Sequence, residues 1–179
     1  MRVMILLANG FEDIEALSVL DILRRAKMNV DMVGVIGSVI QSRSGVKVIV
    51  DRTLNQINPN DYGAIILPGG SLGCQNLERS AKVMEILKTF NNQNKLIGAI
   101  CKAPEILAKA GLLDNKKATI YPGLEKTLAY PRNGPVVVDG NIITSQGPGT
   151  AIEFALKIVE KLSNIAEAQK LRKELVVHA

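Results

Sequence analysis

Residues 95–107 read KLIGAICKAPEIL, and this stretch decides the fold. The apolar run from Leu96 to Ile100 has the composition of a strand that is buried on both faces. It passes directly into APEILAKAGLL, which has helical spacing and ends at Gly111, a residue suited to the end of a helix. Cys101, at the junction, is therefore predicted to occupy a sharp strand-to-helix turn.

Apolar runs of strand length alternate with helical patterns along the whole chain. This alternation predicts an α/β three-layer sandwich, with a mostly parallel sheet and helices on both faces. No linker or internal repeat divides the sequence, so residues 1–179 are predicted to form a single domain. The other predicted strands lie within 2–8, 29–36 and 64–67 and in two hairpins, 39–51 and 136–145. The other predicted helices lie within 14–26, around 83–90, after a capping box of Thr150 and Glu153, and over roughly 164–175.

The basic charge balance does not indicate a nucleic-acid-binding protein. The net charge is +5, but lysine and arginine are spread from Arg2 to Lys173 and form no phosphate-binding cluster. With three Tyr, three Phe and no Trp, the chain also has few rings on which bases stack. We therefore expect a solvated basic surface and no nucleic-acid partner. The first apolar run is too short for a signal sequence or a membrane span, so no membrane association is expected either.

The two cysteines, Cys74 and Cys101, are too few for a disulfide framework and belong to no zinc motif. They are predicted to be free thiols of a reducing compartment, which indicates the cytoplasm. No metal and no cofactor is expected. Cys74, in SLGCQNL, is interpreted as a packing residue.

Four predicted strand ends carry glycines, acids or the cysteine. Sites in parallel sheets form at the carboxyl ends of strands, so these four ends should meet at one edge. They are NGFEDIE at 9–15, PGGSLG at 68–73, CKAP at 101–104 and SQGPGT at 145–150. The residues expected to line a pocket there are Asn9, Gly10, Tyr121 and Pro148.

The thiol of Cys101 is predisposed to ionise, because the free N–H groups and the positive dipole end of the following helix favour the thiolate. Gly69 and Gly70, with the amide of Lys102, would supply an oxyanion hole or an anion nest, since residues without side chains permit close backbone approach. Two alternatives stay open at this point. The cysteine can be a small buried hydrophobe, and the glycines can serve only to turn the chain tightly.

Glu15 differs from the acids beside it. Glu12 and Asp13 are explained by the preference of helix N-termini for negative charge. Glu15 instead lies among apolar residues at the start of the helix, where burial would raise the pKa of its carboxyl group. A protonated Glu15 would donate a hydrogen bond to a nearby thiolate, so Cys101 and Glu15 are predicted to titrate as a coupled pair.

The position of the single histidine argues against a catalytic Cys-His pair. The single histidine is His178, the penultimate residue, so a Cys-His pair would require the C-terminus to fold back across the sheet. A frayed terminus is the expected state. Tyr121 can line the site, but its usual pKa of about 10 makes it a poor base near neutrality.

The ordered motifs NGFEDIEA, ILPGG, LGCQNL, GAICKAP and TSQGPGTAIEFALKIV resemble the ThiJ/PfpI superfamily, and within it the DJ-1 branch, which includes the bacterial YajL proteins. The resemblance covers almost the whole chain. It implies a flavodoxin-like sandwich of the kind found in class I glutamine amidotransferases, a homodimer, and chemistry that is independent of cofactors.

The resemblance also implies roles for individual residues. Cys101 matches the oxidation-prone nucleophile of the family, and Glu15 matches its protonated carboxyl partner. Gly69 and Gly70 match the backbone donors that face the sulfur, and Lys102 supplies the amide next to it.

Members of this branch are described as glyoxalases or deglycases, which convert methylglyoxal or its early adducts on Cys, Arg and Lys to lactate, and as oxidative-stress sensors or chaperones. The resemblance implies a cysteine-dependent glyoxalase or protein deglycase, whose partners are a small aldehyde substrate or glycated protein side chains. The alternatives are a non-catalytic redox sensor or redox-regulated chaperone, and a scaffold with a vestigial site.

Two positions depart from related patterns. Tyr121 precedes Pro122 where the DJ-1 branch usually has histidine, and Lys102 follows the cysteine where the peptidase branch has histidine. Peptidase and glutamine amidotransferase activities both depend on histidine, so they are disfavoured.

Overall fold

The computed structural model describes residues 2–177 of the chain. The strands are β1 (Arg2–Leu7), β2 (Asn29–Gly34), β3 (Val39–Gln41), β4 (Lys47–Ile49), β5 (Arg52–Thr53), β6 (Tyr62–Leu67), β7 (Leu96–Ile100), β8 (Lys117–Ala118), β9 (Tyr130–Pro131), β10 (Val136–Asp139) and β11 (Ile142–Ser145). The helices are α1 (Asp13–Arg25), α2 (Ser71–Glu78), α3 (Ala81–Asn92), α4 (Pro104–Lys109), α5 (Ala151–Leu162) and α6 (Ile165–Glu174). Short 3-10 turns cover Pro59–Asp61, Glu125–Thr127 and Pro148–Thr150.

The central sheet has seven strands in the order β10-β11-β7-β6-β1-β2-β5. Every neighbouring pair in it is parallel except β10 and β11, which form an antiparallel hairpin at one edge. The carboxyl ends of β1, β6, β7 and β11 therefore lie along the same side of the sheet, which confirms the predicted mostly parallel arrangement.

Helices cover both faces of the sheet, as the alternating directions of the β1 side chains illustrate. Val3 and Ile5 pack into a core with α1, α5 and α6, whereas Met4 and Leu6 pack into a second core with α2, α3 and α4. Successive strand residues point to opposite faces, so a continuous apolar run is what a strand between two helical layers requires. The three-layer sandwich predicted from the sequence is confirmed.

Helix α1 follows β1 after the loop at 8–12, and it buries a face that includes Ala16, Val19 and Leu23. Ile14, which the sequence places among the apolar residues around the acid, is 53% exposed instead. Glu15 is completely buried. The register of the helix thus turns the carboxyl side chain, and not the isoleucine, toward the sheet.

Both predicted hairpins form, β3 with β4 and β10 with β11. The turn at Asp139 and Gly140 places the glycine at φ 62°, the left-handed conformation expected of this dipeptide. The capping box predicted for α5 is wrong. Thr150 does occupy the N-cap, but its hydroxyl bonds Ser145 and the backbone of Gly147, so it is not available to the first turn of the helix.

Within residues 2–177, none of the helices is both long enough and apolar enough to cross a membrane. His178, for which a frayed terminus is predicted, lies outside the described residues.

Candidate functional site

Cys101 follows β7 directly and occupies a tight elbow. Its φ of 64° lies in the left-handed region, which is uncommon for a residue with a side chain and marks a sharp turn of the backbone. The Cys101 N–H donates to the Ser145 carbonyl at 2.9 Å, and the Cys101 carbonyl accepts from the Tyr121 N–H at 2.9 Å. Two neighbouring segments therefore fix the elbow, and the partly exposed thiol lies in an open cleft.

Glu15 lies behind the thiol with its side chain fully removed from solvent. The Gly69 N–H donates to Glu15 Oε2 at 2.7 Å, and the carboxyl group also interacts with the Cys101 thiol. Glu15 Oε1 is buried and has no hydrogen-bond partner among residues 2–177. A proton on this carboxyl group would therefore be available to the sulfur.

Gly69 does not play the role that the resemblance implies. Its amide binds the Glu15 carboxyl group, so it is not a donor that faces the sulfur. Gly69 also lies tightly between the Glu15 and Cys101 side chains. A Cβ built at Gly69 would lie 2.5 Å from Glu15 Oε2 and 2.7 Å from Cys101 Cβ. Only glycine allows the acid and the thiol to approach from both sides.

The backbone N–H groups of Gly70 and Lys102 lower the pKa of the Cys101 thiol and so favour its ionised form. Gly70 has φ 92° and lies against Gly10, whose carbonyl oxygen would be 2.2 Å from a Cβ at position 70. The position of the Gly70 amide depends on a backbone conformation that favours glycine, and an anion nest of the Gly70 and Lys102 amides stays a prediction.

The acid and the thiol shift each other's ionisation. Burial raises the pKa of Glu15 to about 7, with smaller opposing contributions from the Gly69 and Cys101 hydrogen bonds. Burial, followed by the negative charge of Glu15, raises the pKa of Cys101 to about 12. The pair therefore releases its first proton near neutrality and holds the second far above it, as coupled groups do.

These shifts correct the prediction that the following helix favours the thiolate. Helix α4 has only six residues and begins at Pro104, three positions after Cys101. Burial and the neighbouring carboxyl group raise the pKa of Cys101, and the backbone N–H groups of Lys102 and Gly70 oppose this rise only in part. The prediction that burial raises the pKa of Glu15 agrees with the structure.

The cleft that contains the thiol has a volume of about 860 Å³. Loops at the ends of β1, β6 and β7 contribute to its lining, together with the segment that contains Tyr121 and the β3–β4 hairpin. All four residues expected at the pocket line it: Asn9, Gly10, Tyr121 and Pro148. Across residues 2–177, His, Cys, Asp and Glu side chains form no group of three or more suited to a metal ion.

Arg43 also lines the cleft, and sequence reasoning did not find it. Arg43 Nη1 donates to Glu12 Oε2 at 2.8 Å, and the largely buried Glu12 is thereby paired instead of serving only as a complement to the helix dipole. The hairpin that carries Arg43 is held over the cleft by Asn9 and Gly10, which hydrogen-bond the Gln41 backbone at 2.9 and 2.8 Å. No local signal in the sequence links this hairpin to the site.

The fold and the site geometry agree with three comparisons. A family model described as "DJ-1/PfpI family" matches residues 1–161. Protein dj-1beta of Drosophila melanogaster is 37% identical over 97% of this chain and 96% of that protein, and the Parkinson disease protein 7 homolog of Danio rerio is 36% identical over 98% and 97%. The solved structure of oxidized DJ-1 from Toxoplasma gondii matches with a TM-score of 0.95 at 37% identity, covering 99% of both chains. Since sequence and fold agree over nearly the full length, the chain belongs to the DJ-1/PfpI family and has its flavodoxin-like α/β sandwich.

Proposed function

We propose that the protein is a cofactor-independent glyoxalase or protein deglycase, which acts on methylglyoxal or on its early adducts with protein side chains. The observation that carries this proposal is the pairing of the Cys101 elbow thiol with the fully buried Glu15, next to two backbone donors. A nucleophile, a proton carrier and an anion nest are the three groups that addition to an aldehyde requires.

The reaction is balanced without an external oxidant. Glu15 takes the thiol proton of Cys101 as the sulfur adds to the aldehyde carbon of methylglyoxal, and it passes this proton to the aldehyde oxygen to give a hemithioacetal. Glu15 then removes the proton from that carbon, and a proton is returned to the adjacent ketone carbon, so the first carbon is oxidised while the second is reduced. The resulting thioester is hydrolysed by water to lactate and the free thiol.

The residues suit these steps in different ways. The first proton of the Glu15–Cys101 pair leaves near neutrality, so at that pH the pair can both give and take a proton. The amides of Gly70 and Lys102 stabilise negative charge on the sulfur and on an oxygen bound next to it. Proton transfer is assigned to Glu15 because Lys102 and Tyr121 stand at the two positions where related patterns have histidine.

The test is lactate formation from methylglyoxal by the wild type, Cys101→Ser, Glu15→Gln and a Cys74→Ser control. Lactate must be measured, because thiols and amines consume methylglyoxal without turnover. We expect rates at least about 100-fold lower for Cys101→Ser and Glu15→Gln, and an unchanged rate for Cys74→Ser. Equal rates in all four proteins would contradict the proposal.

A second assay separates the two activities. The substrate would be a preformed methylglyoxal adduct of N-acetylarginine, with aminoguanidine present to trap free methylglyoxal. Lactate that still appears under these conditions comes from the adduct and indicates a deglycase. If no lactate is formed, the protein is a glyoxalase that uses only the free aldehyde.

A second candidate function is redox sensing, in which the same thiol is oxidised and no substrate is turned over. It is favoured by the likeness to a DJ-1 structure solved in an oxidized state and by the donors around the sulfur. Two equivalents of peroxide convert the Cys101 thiolate to a sulfinate and release two waters. A thiol with this role also requires a reducing compartment, which favours the cytoplasm.

The redox proposal predicts selective oxidation. Treatment with mild peroxide, followed by peptide mass spectrometry, should show a gain of two oxygens at Cys101 while Cys74 stays reduced. Protection of an aggregating client protein should change after this treatment in the wild type and stay constant in Cys101→Ser. Oxidation of both cysteines at similar rates would argue against a sensor.

We further propose that the protein acts as a homodimer. The β3–β4 hairpin presents Val39 and Ile49, which are paired across the two strands and are 53% and 76% exposed. Ile36, just before the hairpin, is 77% exposed. A second copy of the chain would cover these apolar side chains. Sedimentation equilibrium of the wild type and of Ile49→Asp measures this directly, and a wild-type monomer at micromolar concentration would exclude it.

A further inference from the structure

Two side chains that line the cleft are large, apolar and about half-exposed. Leu72, in the first turn of α2, is 53% exposed, and Tyr121 is 48% exposed. Both contribute to the lining of the cleft that contains the Cys101 thiol. Apolar surface inside a concave site favours binding, because a ligand that covers it removes it from water. The proposed function assigns no step to either side chain.

Leu72 and Tyr121 both belong to segments that adjoin the reactive thiol. The Tyr121 N–H donates to the Cys101 carbonyl at 2.9 Å, so residue 121 flanks the elbow itself. Leu72 lies two residues after Gly70, whose backbone N–H lowers the pKa of the Cys101 thiol. A substituent on a carbonyl compound that is bound at the sulfur would therefore reach Leu72 and Tyr121.

Close packing holds the two side chains in place. A Cβ at Gly10 would lie 2.6 Å from Leu72 Cβ and 2.9 Å from Leu72 Cγ, so the leucine rests on backbone that has no side chain. A Cβ at Gly147 would lie 3.4 Å from Tyr121 Cδ2, so the aromatic ring rests on the segment next to Pro148, which also lines the cleft. Side chains that are fixed before binding lose little conformational entropy when a ligand covers them.

The polar side chains on the hairpin side of the cleft are engaged with neighbouring groups. Asn9 Oδ1 accepts from the Gln41 N–H at 2.9 Å, and Arg43 Nη1 donates to Glu12 Oε2 at 2.8 Å. The Ser42 hydroxyl is hydrogen-bonded within the hairpin. These groups hold the β3–β4 hairpin against the loop after β1, whereas the two apolar side chains keep exposed surface. The cleft therefore favours an apolar substituent over a hydrogen-bonding one.

The cleft is also larger than methylglyoxal requires. Its volume of about 860 Å³ lies within the range of pockets that bury drug-sized ligands, about 300–1,000 Å³. Methylglyoxal carries a single methyl substituent and would leave most of the apolar surface in contact with water. A longer hydrocarbon substituent would cover that surface.

We propose that Leu72 and Tyr121 are specificity-determining residues, which select α-oxoaldehydes R–CO–CHO in which R is an extended or branched hydrocarbon group. This inference rests on the proposed function and narrows its substrate class. The chemistry of the reacting carbons is unchanged: one water is added, the aldehyde carbon is oxidised, the ketone carbon is reduced, and a 2-hydroxy acid is formed. The hydrocarbon group lies against Leu72 and Tyr121 and does not react.

The first test measures recognition without turnover. N-butyl-iodoacetamide and N-(3-hydroxypropyl)-iodoacetamide have the same chain length, and both alkylate Cys101 with loss of iodide and the thiol proton. Only the butyl reagent has an apolar end. Mass spectrometry gives the ratio of the two rates at Cys101, divided by the same ratio for the unfolded chain. We expect a ratio of at least about fivefold in the wild type, since one fully buried methylene group contributes about fourfold.

Substitutions at the two positions should lower this ratio. Leu72→Asn and Tyr121→Ser should each lower it about threefold, whereas Leu72→Met and Tyr121→Phe, which keep apolar surface at the same positions, should retain it. The matched control is Ile165→Asn, which should leave the ratio unchanged, because Ile165 is 59% exposed but lies on α6 outside the cleft.

A wild-type ratio near one would overturn the proposal, as would an unchanged ratio in Leu72→Asn and Tyr121→Ser. An equal fall of both alkylation rates would also overturn it, because the side chains would then act on the thiol and not on the reagent.

The second test compares turnover of 4-methyl-2-oxopentanal, which yields 2-hydroxy-4-methylpentanoate, with that of methylglyoxal. The wild type should have a kcat/KM about tenfold higher for the branched substrate, and Leu72→Asn should reduce this preference about threefold. Equal values in the wild type would contradict the selection of hydrocarbon groups, while lactate formation would still support the glyoxalase function. If the wild type converts neither substrate, the glyoxalase function fails, and the alkylation ratio still decides whether Leu72 and Tyr121 select apolar groups.

Discussion

The two cysteines of this chain lie near each other in the fold but in opposite environments. Cys101 is at the end of a strand, in a left-handed backbone conformation, and opens into a cleft. Cys74 lies in α2, is 2% exposed, and makes a single weak sulfur contact with the Pro68 carbonyl at 3.9 Å. Burial raises the pKa of both thiols, so ionisation alone does not distinguish them.

The difference lies in what surrounds each sulfur. Cys101 lies beside the buried acid Glu15 and near the backbone N–H groups of Gly70 and Lys102, and all three groups shift the pKa of its thiol. Cys74 belongs to the apolar core under α2 and α3. We therefore expect the two thiols to differ in reactivity, because the groups around a thiol and its access to solvent determine how fast it reacts.

The largest expected effect is on alkylation. Iodoacetamide should modify Cys101 at least about 1,000-fold faster than Cys74 in the folded protein, because Cys74 reacts only after local opening. In denaturant the two rates should agree within about threefold. Peptide mass spectrometry at timed intervals resolves the two sites. Comparable rates in the folded state would show that the environments are less different than their burial implies.

The next effect concerns the acid behind Cys101. Because burial raises the pKa of Glu15 from 4.5 to about 7, the protonated form stabilises the fold below pH 4.5, and this stabilisation is lost as the pH rises through about 7. One pKa unit corresponds to about 1.4 kcal/mol, so the unfolding free energy should fall by about 3 kcal/mol over this range.

Urea unfolding of the wild type and Glu15→Gln at pH 4.5, 6 and 7.5 measures this effect. The difference between the two proteins isolates Glu15 from other titrating groups. Parallel pH profiles would mean that Glu15 is not the acid that is perturbed.

Gly69 gives the third prediction, because it determines how closely the acid and Cys101 approach. Gly69→Ala places a methyl group 2.5 Å from Glu15 Oε2, so we expect a loss of about 2 kcal/mol and slower alkylation of Cys101. Gly149→Ala is the matched control, since a Cβ at Gly149 meets no atom within 4 Å. Its unfolding free energy should stay within about 0.5 kcal/mol of the wild type. Equal stabilities of the two variants would contradict the close approach.

The smallest effect is expected at Cys74. Cys74→Ala removes a buried sulfur and should lower the unfolding free energy by about 1 kcal/mol, because the site lies in a packed core. The rate of Cys101 alkylation should not change. A change in that rate would link the two thiols, and the comparison between them would then need revision.

The sequence predicted the parts of the site that local patterns determine. Apolar runs followed by glycines and acids identified the strand ends, and a carboxyl group at the start of an apolar helix identified Glu15. Cys101 was predicted as an elbow because a buried strand gives way at once to helical spacing. These inferences need only the period of the pattern and the chemistry of the residue.

Other features depend on contacts between distant segments. A Gly-Gly pair does not show where its amides point: the Gly69 N–H donates to the Glu15 carboxyl group, whereas the Gly70 N–H lowers the pKa of the Cys101 thiol. Arg43 reaches the cleft only because a hairpin folds onto Asn9 and Gly10. The burial that raises the pKa of Cys101 likewise depends on how distant segments pack around the elbow.

The amides that surround the Cys101 sulfur belong to the backbone, and this has an evolutionary consequence. A side-chain donor is lost by one substitution, whereas the N–H of residue 102 is kept by every residue except proline. The side chains at 102 and 121 can therefore diverge while the elbow retains its donors. Substitutions at these two positions would therefore change the lining of the cleft without removing the N–H groups near the sulfur.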